Sequence, residues 1–339
     1  MTGVAGYRSS PGVTTASRLP LLAGLTLAYN VLVILWGAVV RATGSGAGCG
    51  SHWPKCDGSV VPAFQSLAQK IEYSHRLTSG LSVVFVGALA FVCFRESRNW
   101  EPAPKSFLRR AGIWSLAFVF MEALIGAAIV LLDLVAHNVS LRRAVSGGLH
   151  LVNTFFLLGA LTCVAFASRP GAVTHEGALR KVRPGMLVLV AALLLWPIGS
   201  SGAVAALGDT LFPAKTLAAG FAADLSPTAS VLLKLRSLHP LFAILCGFGV
   251  FVLGRIVKRS TTKAVSTAGW LVQGLVLLQW GVGLLNLFML APLFMQLLHL
   301  VLADALVCAV TWMGASWMFD AQLRAAPLKH FHEGATAEK

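Results

Sequence analysis

Charge is what this chain has least of. Only 12% of its 339 residues are Asp, Glu, Lys or Arg, and acids are the scarcer kind, 13 against 27 bases. A soluble domain carries about a quarter charged residues, so an ordinary soluble fold is excluded. Cysteine is too sparse for a disulfide scaffold: of six, Cys93, Cys163, Cys246 and Cys308 fall inside apolar runs and read as buried small residues. The stretch before Leu21 is short and polar. It shows no cleavable signal, so the first apolar run is expected to be retained.

What is present is apolar sequence: 56% hydrophobic residues and a mean hydropathy of +0.76. A membrane-crossing helix needs about 20 such residues. Eight runs qualify, at 21–40, 71–94, 111–134, 145–168, 185–207, 231–254, 266–290 and 293–319. The expected fold is therefore an all-α integral membrane protein with eight transmembrane helices. The net charge of +14 is explained by where the bases lie, since 18 of the 27 fall before run 1, between runs 2–3, 4–5 and 6–7, and after run 8. Basic segments stay inside. Both termini are thus expected in the cytoplasm, across a plasma or inner membrane, with lipid as a partner and no nucleic acid.

The two halves repeat each other. LHLVNTFFLLGALTCV in run 4 matches LHLVLADALVCAVTWM in run 8, and HRLTSGLSVVFVG in run 2 parallels HPLFAILCGFGVF in run 6. MEALIG in run 3 parallels LQWGVG in run 7, which aligns Glu122 with Gln279. Each half has four runs, so the repeat is parallel, with its axis along the membrane normal. The expected organisation is a cytoplasmic segment 1–20, a four-helix bundle 21–168, a linker 169–184, a second bundle 185–319 and a tail 320–339.

Four histidines sit near the same end of alternate runs: His75, His150, His239 and His299. A histidine inside a span is costly and usually functional. One alone reads as a packing residue hydrogen-bonded between helices. Four at repeat-related positions read as two pairs of axial ligands, each facing its mate across a bundle and holding one heme iron. His137, His175, His330 and His332 lie in loops or the tail and read as solvated.

The two pairs differ. Glu72 precedes His75 by three residues and so shares its helix face, whereas Arg236 stands at that place before His239. A carboxylate beside a macrocycle suits an acid, a base or a stabiliser of developing positive charge. An arginine suits heme propionates, and Arg76 is open to the same reading. The bland reading of Glu72 is a helix-end acid paired with Lys70 or Arg76. Glu122, deep in run 3, reads as a hydrogen-bonded packing residue or a proton-path element, and Asp304 in run 8 reads the same way or as a residue that orients a ligand. Cys49 and Cys56 lie in an outer loop with His52 between them. A disulfide is the default on an oxidising face, structural or redox-active, and a metal site is the alternative.

At these residues the chain resembles the heme A synthases. The likeness rests on GAVVRATGSGAGCGSHWPKCDG after run 1, on EYSHR opening run 2, and on the LHLVN, LHPLF and LHLVLAD histidines. It extends over essentially the whole length, and the cysteine loop is similar to that of bacterial members. The resemblance implies a membrane oxidoreductase that converts heme O to heme A, oxidising a methyl group to a formyl group by successive hydroxylations, for use in terminal oxidases. By the same resemblance Glu72, His75 and His150 would form the substrate site. His239 and His299, with Arg236 nearby, would hold a heme b cofactor. A heme O synthase, an electron donor or acceptor and oxidase assembly factors would be partners. Some members carry a second cysteine pair after run 5, where this chain has a long, partly apolar loop from Gly208 to Thr228, read here as a lid over the second site. Two rival readings remain: a di-heme electron-transfer protein, and a transporter, which would show broken helices and polar residues near the midplane.

Overall fold

The computed structural model describes residues 17–169, 172–173, 182–259 and 262–319. The tail 320–339 and most of the linker, with His175, His330 and His332, lie outside the described residues. Ten α-helices follow in order: α1 Leu19–Ala42, α2 Leu67–Glu96, α3 Pro102–Leu131, α4 Leu141–Ala167, α5 Val182–Leu211, α6 Leu217–Leu225, α7 Val231–Arg236, α8 His239–Val257, α9 Lys263–Phe288 and α10 Leu293–Met318. Eight segments among the described residues are long and apolar enough to cross a membrane, with α7 and α8 together forming the sixth.

Local chemistry sets the helix starts. Ser66, Ser140, Thr216 and Ser230 accept a hydrogen bond from the backbone N–H three residues on, at the heads of α2, α4, α6 and α7. Proline opens α1, α3 and α8, where its missing N–H costs nothing. Six of the eight spans start before their apolar stretches. The third begins at Pro102, nine residues before the reading from hydropathy, because PAPKSFLRR continues the helix in polar residues.

One expected span is broken. Run 6 stops at Arg236 and restarts at His239. Pro240 explains the interruption: it has no N–H to donate, and its ring crowds the carbonyl four residues back. The break leaves His239 as the first residue of α8. It lies near the end of the span, not at the middle where a transporter would be expected to have one.

Packing follows chain order. In the first half α1 touches α2, α2 touches α3, α3 touches α4, and α4 returns to α1. In the second, α5, α8, α9 and α10 touch in the same order and α10 returns to α5. The halves meet through α4, which contacts α5 and α10 as well as α1 and α3. Half of the central window of α4 is buried, against 17–33% for the other spans, so α4 is the central helix. Around it Leu157, Leu161 and Val164 pack with Val86, Leu108 and Val119, while Leu158 packs with Val250, Val272, Val307 and Met313. Outside, Leu21, Phe91, Leu124, Leu245 and Trp270 each expose more than half of their surface, as side chains facing lipid do.

Polar side chains tie the helices where hydrocarbon cannot. Ser82 Oγ donates to Asn30 Oδ1 at 2.6 Å between α2 and α1, and Trp280 Nε1 donates to Ala243 O at 2.9 Å between α9 and α8. Arg41, near the end of α1, donates to Ala206 O and Thr210 Oγ1 on α5 and to Gln296 Oε1 on α10, joining the two halves.

Candidate functional site

A cavity of about 1490 Å³ runs between the helices, larger than the ~300–1,000 Å³ of ordinary ligand pockets. All four histidines line it. The loop residues in its wall, including Gly46, Trp53, Val135, Pro213 and Ala291, come from the connections at one end of the bundle. His75, His150, His239 and His299 stand eight, nine, eight and six residues past the starts at Leu67, Leu141, Val231 and Leu293. That is about 9–14 Å along the helix at ~1.5 Å per residue; α2 and α4 start four residues before the apolar runs, whereas the starts at Val231 and Leu293 coincide with them.

Glycines on neighbouring helices make room for three of the imidazoles. A Cβ on Gly37 of α1 would lie 3.1 Å from His75 Cε1, one on Gly202 of α5 would lie 3.2 Å from His239 Cε1, and one on Gly283 of α9 would lie 3.0 Å from His299 Cε1. In the second half His239 and His299 face each other with ring centroids 6.3 Å apart and planes at 84°. His239 Nδ1 shares a hydrogen bond of 3.0 Å with Ser201 Oγ, while Gln279 Nε2 donates to His299 O at 3.0 Å.

In the first half the partner of histidine is Glu122. Its Oε2 lies 2.5 Å from His150 Nδ1, an ion-pair distance, though off the line of a hydrogen bond. Its Oε1 accepts from Asn153 Nδ2 and Thr154 Oγ1, both at 2.9 Å. The hydrogen-bonded character read from sequence for Glu122 is present, and its link to His150 adds a partner that sequence did not show.

Glu72 is 3% exposed and lies in the cavity wall. Oε1 accepts from Arg76 Nη2 at 2.5 Å and Oε2 from the Cys49 amide at 2.7 Å. The pairing with Arg76 weighed from sequence is therefore present, and Lys70 takes no part in it. Arg76 also donates to the His52 and Lys55 carbonyls. With Gln69 bonded to Asp57 and Tyr73 to Val60 O, one face of α2 holds the whole outer loop. Cys49 and Cys56 form a disulfide and both are fully buried. Gly48 must be glycine here, since a Cβ would fall 2.5 Å from the Ala68 carbonyl carbon.

Arg236 is bonded to two carboxylates, Asp209 at 3.1 Å and Asp224 at 2.5 Å, and to Phe212 O. Asp224 belongs to α6, which forms within the expected lid segment and puts Leu217, Gly220 and Phe221 into the cavity wall. Arg143 donates to the Ala136 and Asn138 carbonyls and, like Arg41, lines the cavity. Neither was singled out from sequence, although both stand on the side of the membrane where bases are few. Asp304 is 1% exposed with neither carboxyl oxygen hydrogen-bonded, so it makes no hydrogen bond to a histidine. His137 and His52 are exposed.

Comparison with known proteins adds the family. The profile COX15-CtaA, described as cytochrome oxidase assembly protein, matches residues 21–311. The chain belongs to this family. Among curated relatives, a protein named heme A synthase from Bacillus pumilus is 38% identical over 112 residues, 33% of this chain and 35% of that protein. A heme A synthase from Bacillus cereus is 35% identical over 145 residues, 43% of each. A Thermus thermophilus protein named protoheme IX farnesyltransferase is 41% identical over 296 residues, 86% of this chain but 47% of that protein. The chain thus spans about half the length of the Thermus relatives, or less of the Bacillus ones. As a member of this cytochrome oxidase assembly family it is a multi-pass membrane protein, and its histidine-lined cavity is the candidate site.

The donor set fits iron porphyrin. The 6.3 Å between the His239 and His299 rings accommodates two metal–nitrogen bonds of about 2 Å. His75 Nδ1 and His299 Nδ1 are buried without hydrogen-bond partners. Gly147, one turn before His150 on the same face of α4, has open space in front of it.

Proposed function

We propose that this chain is a heme A synthase, which takes heme O as substrate in the first half and holds heme b in the second. The observation that carries the reading is one cavity lined by four histidines on alternate spans, with one pair already facing at ligand spacing. The relatives named heme A synthase and the family's place in cytochrome oxidase assembly support it. The proposed domain division follows the two rings of helices, one ring per heme. The histidine end faces outward and both termini lie in the cytoplasm, a reading supported by the distribution of basic residues.

In this reading His75 and His150 hold the iron of the substrate, and Glu122 fixes the His150 ring through Nδ1. Glu72 is held from both sides by Arg76 and the Cys49 amide. A carboxylate with a donor on each oxygen makes a poor proton shuttle and a good fixed negative charge. Its role is to stabilise the positive charge that develops as the methyl group is oxidised toward formyl. His239 and His299 would ligate the resident heme b, which when bound supplies a one-electron relay. Arg236 stands beside that second site and ties α6 over it through Asp224.

The test is chromatography and mass spectrometry of heme extracted from membranes that express this chain together with a heme O synthase. A formyl-bearing heme A peak that depends on the chain is expected. Heme b and unconverted heme O alone, from a folded and heme-loaded protein, would favour a di-heme electron-transfer protein instead. The farnesyltransferase name of the Thermus relatives gives a second reading, and expression without a heme O synthase separates it. Prenylated heme formed by this chain alone would support prenyl transfer, yet more than half of that relative lies outside the match.

A further inference from the structure

The arginines that line the cavity are not equivalent. Arg76 and Arg236 are bonded to carboxylates, Arg76 to Glu72 and Arg236 to Asp209 and Asp224. Arg41 and Arg143 are not. Among the described residues, their side-chain partners are Ala206 O, Thr210 Oγ1 and Gln296 Oε1 for Arg41, and the Ala136 and Asn138 carbonyls for Arg143. The carboxylate whose charge acts on Arg41 is Asp209, already bonded to Arg236. Arg143 lines the same span-end wall and its charge acts on Arg41 as well, so two cations share that wall and neither is hydrogen-bonded to a carboxylate. Arg143 is 8% exposed. A buried guanidinium with only neutral partners is costly unless an anion completes it.

Their helical positions say where that anion would sit. Arg41 is one turn beyond Gly37, the residue packed against His75, and both line the cavity. Arg143 is two turns before His150, with Gly147 between them on the same cavity-lining face of α4. Along the helix axes both arginines therefore stand about 6–10 Å from the level of the first histidine pair, toward the loop end, at ~1.5 Å per residue. The LHLV repeat places Pro292 at the position of Arg143, and Ala206 stands one turn past Gly202 as Arg41 stands past Gly37, so this cation pair belongs to the first site alone.

We propose that Arg41 and Arg143 form the carboxylate subsite of the first half and bind the two propionates of the porphyrin whose iron lies between His75 and His150. The proposal rests on the heme reading of that site and moves the propionate role expected of Arg76 and Arg236 to residues the chain leaves uncompensated. Bidentate arginine–carboxylate pairing is the geometry such a subsite uses. It also orients the macrocycle, with its carboxylate edge toward the loops and its opposite edge toward the bundle interior.

The test titrates the purified full chain with iron protoporphyrin IX and with its dimethyl ester, in which both carboxylates are blocked. The signal followed is the low-spin heme absorption that disappears in His75→Ala. The parent protein should prefer the free acid by about 10- to 100-fold, the range of charged hydrogen bonds. Arg41→Gln and Arg143→Gln should each remove most of that preference and leave the ester's affinity unchanged. Equal affinity of the parent for acid and ester overturns the proposal, and that measurement needs no variant to fold. Variants that weaken acid and ester alike overturn it too, because they show a structural role. Absence of any His75-dependent heme signal in the parent would instead overturn the heme reading of the first site, and this inference with it.

Discussion

Glu122 Oε2 lies 2.5 Å from His150 Nδ1, while the repeat-related Gln279 meets His299 chiefly through the backbone carbonyl, with Nε2 3.0 Å from His299 O. A carboxylate behind a ligating histidine fixes its ring and raises its basicity. The two halves therefore differ in the residue behind the histidine as well as in Glu72 and Arg236. Asn153 and Thr154, which complete the shell of Glu122, are replaced by Leu302 and Ala303 in the second half. Glu122→Gln turns an amide N–H₂ toward the imidazole or leaves it without an acceptor. Heme affinity at the first site should fall about 10- to 100-fold, the usual cost of losing such a partner, with the second site unchanged. Thr154→Val keeps the carboxylate and should cost much less. Heme titration of both variants, read at the first site, checks the ordering.

Glu72 makes a different prediction, because its shell is the outer loop and not a histidine. Glu72→Ala should leave heme content near that of the parent while heme A output drops by about 100-fold or more, the scale of losing one electrostatic group aimed at developing charge. Glu72→Gln keeps the shape but lacks the charge, so it should fall nearly as far. Heme extracted from membranes of the two variants, compared with a heme O synthase present, decides it. Full output from either variant removes Glu72 from the chemistry and leaves it as the anchor of Cys49.

Much of this architecture was legible before the fold was known. Hydropathy alone marks eight spans, and the repeat marks four histidines, because both signals are local or compare one stretch with another. What sequence did not show is register between helices. Glu122 and His150 lie on different spans, and no periodicity tells which face of α3 meets which face of α4. The same holds for Arg41, whose partners are on α5 and α10. The break before His239 had a visible cause in Pro240, yet hydropathy runs through it unchanged. The disulfide was readable from Cys49 and Cys56, but its bond to the catalytic candidate Glu72 through the Cys49 amide was not.

That bond ties loop chemistry to the site. Cys49→Ser with Cys56→Ser removes the cross-link between residues seven apart. Closing so short a loop is worth about 2–3 kcal/mol in the chain-entropy account. Glu72 would then lose its fixed backbone donor whenever the loop opens, and Arg76 its carbonyl partners. The double variant should unfold at lower temperature and make less heme A, with the heme at His239 and His299 retained. Thermal unfolding and heme extraction from one preparation check both parts.

The proposal that α6 covers the second site predicts a graded response. Arg236 holds α6 through Asp224 and α5 through Asp209. Asp224→Asn breaks the link to α6 and keeps the one to α5. Proteolysis within residues 212–230 should quicken several-fold, and heme should leave the second site faster. The contact is partly buried, so salt should reproduce only part of the effect. An unchanged cleavage rate would mean that α6 is held by its apolar face, through Leu217 and Phe221.

The glycines opposite the histidines give the sharpest steric prediction. A Cβ on Gly202 would stand 3.2 Å from His239 Cε1 and one on Gly283 would stand 3.0 Å from His299 Cε1. Alanine at either site demands a shift of a few tenths of an ångström, which an imidazole at a helix start can make. Valine demands more and also resists adjustment, since its χ1 is nearly fixed in a helix. Gly202→Ala should therefore keep the second heme with a displaced absorption band, whereas Gly202→Val should lose it. Gly126 supplies the control: it is the repeat counterpart of Gly283, yet nothing lies within 4 Å of a Cβ built there. Gly126→Ala should bind heme like the parent unless the macrocycle of the first site itself fills that space. Loss of first-site heme in Gly126→Ala, with the second site intact, would place the porphyrin edge against α3.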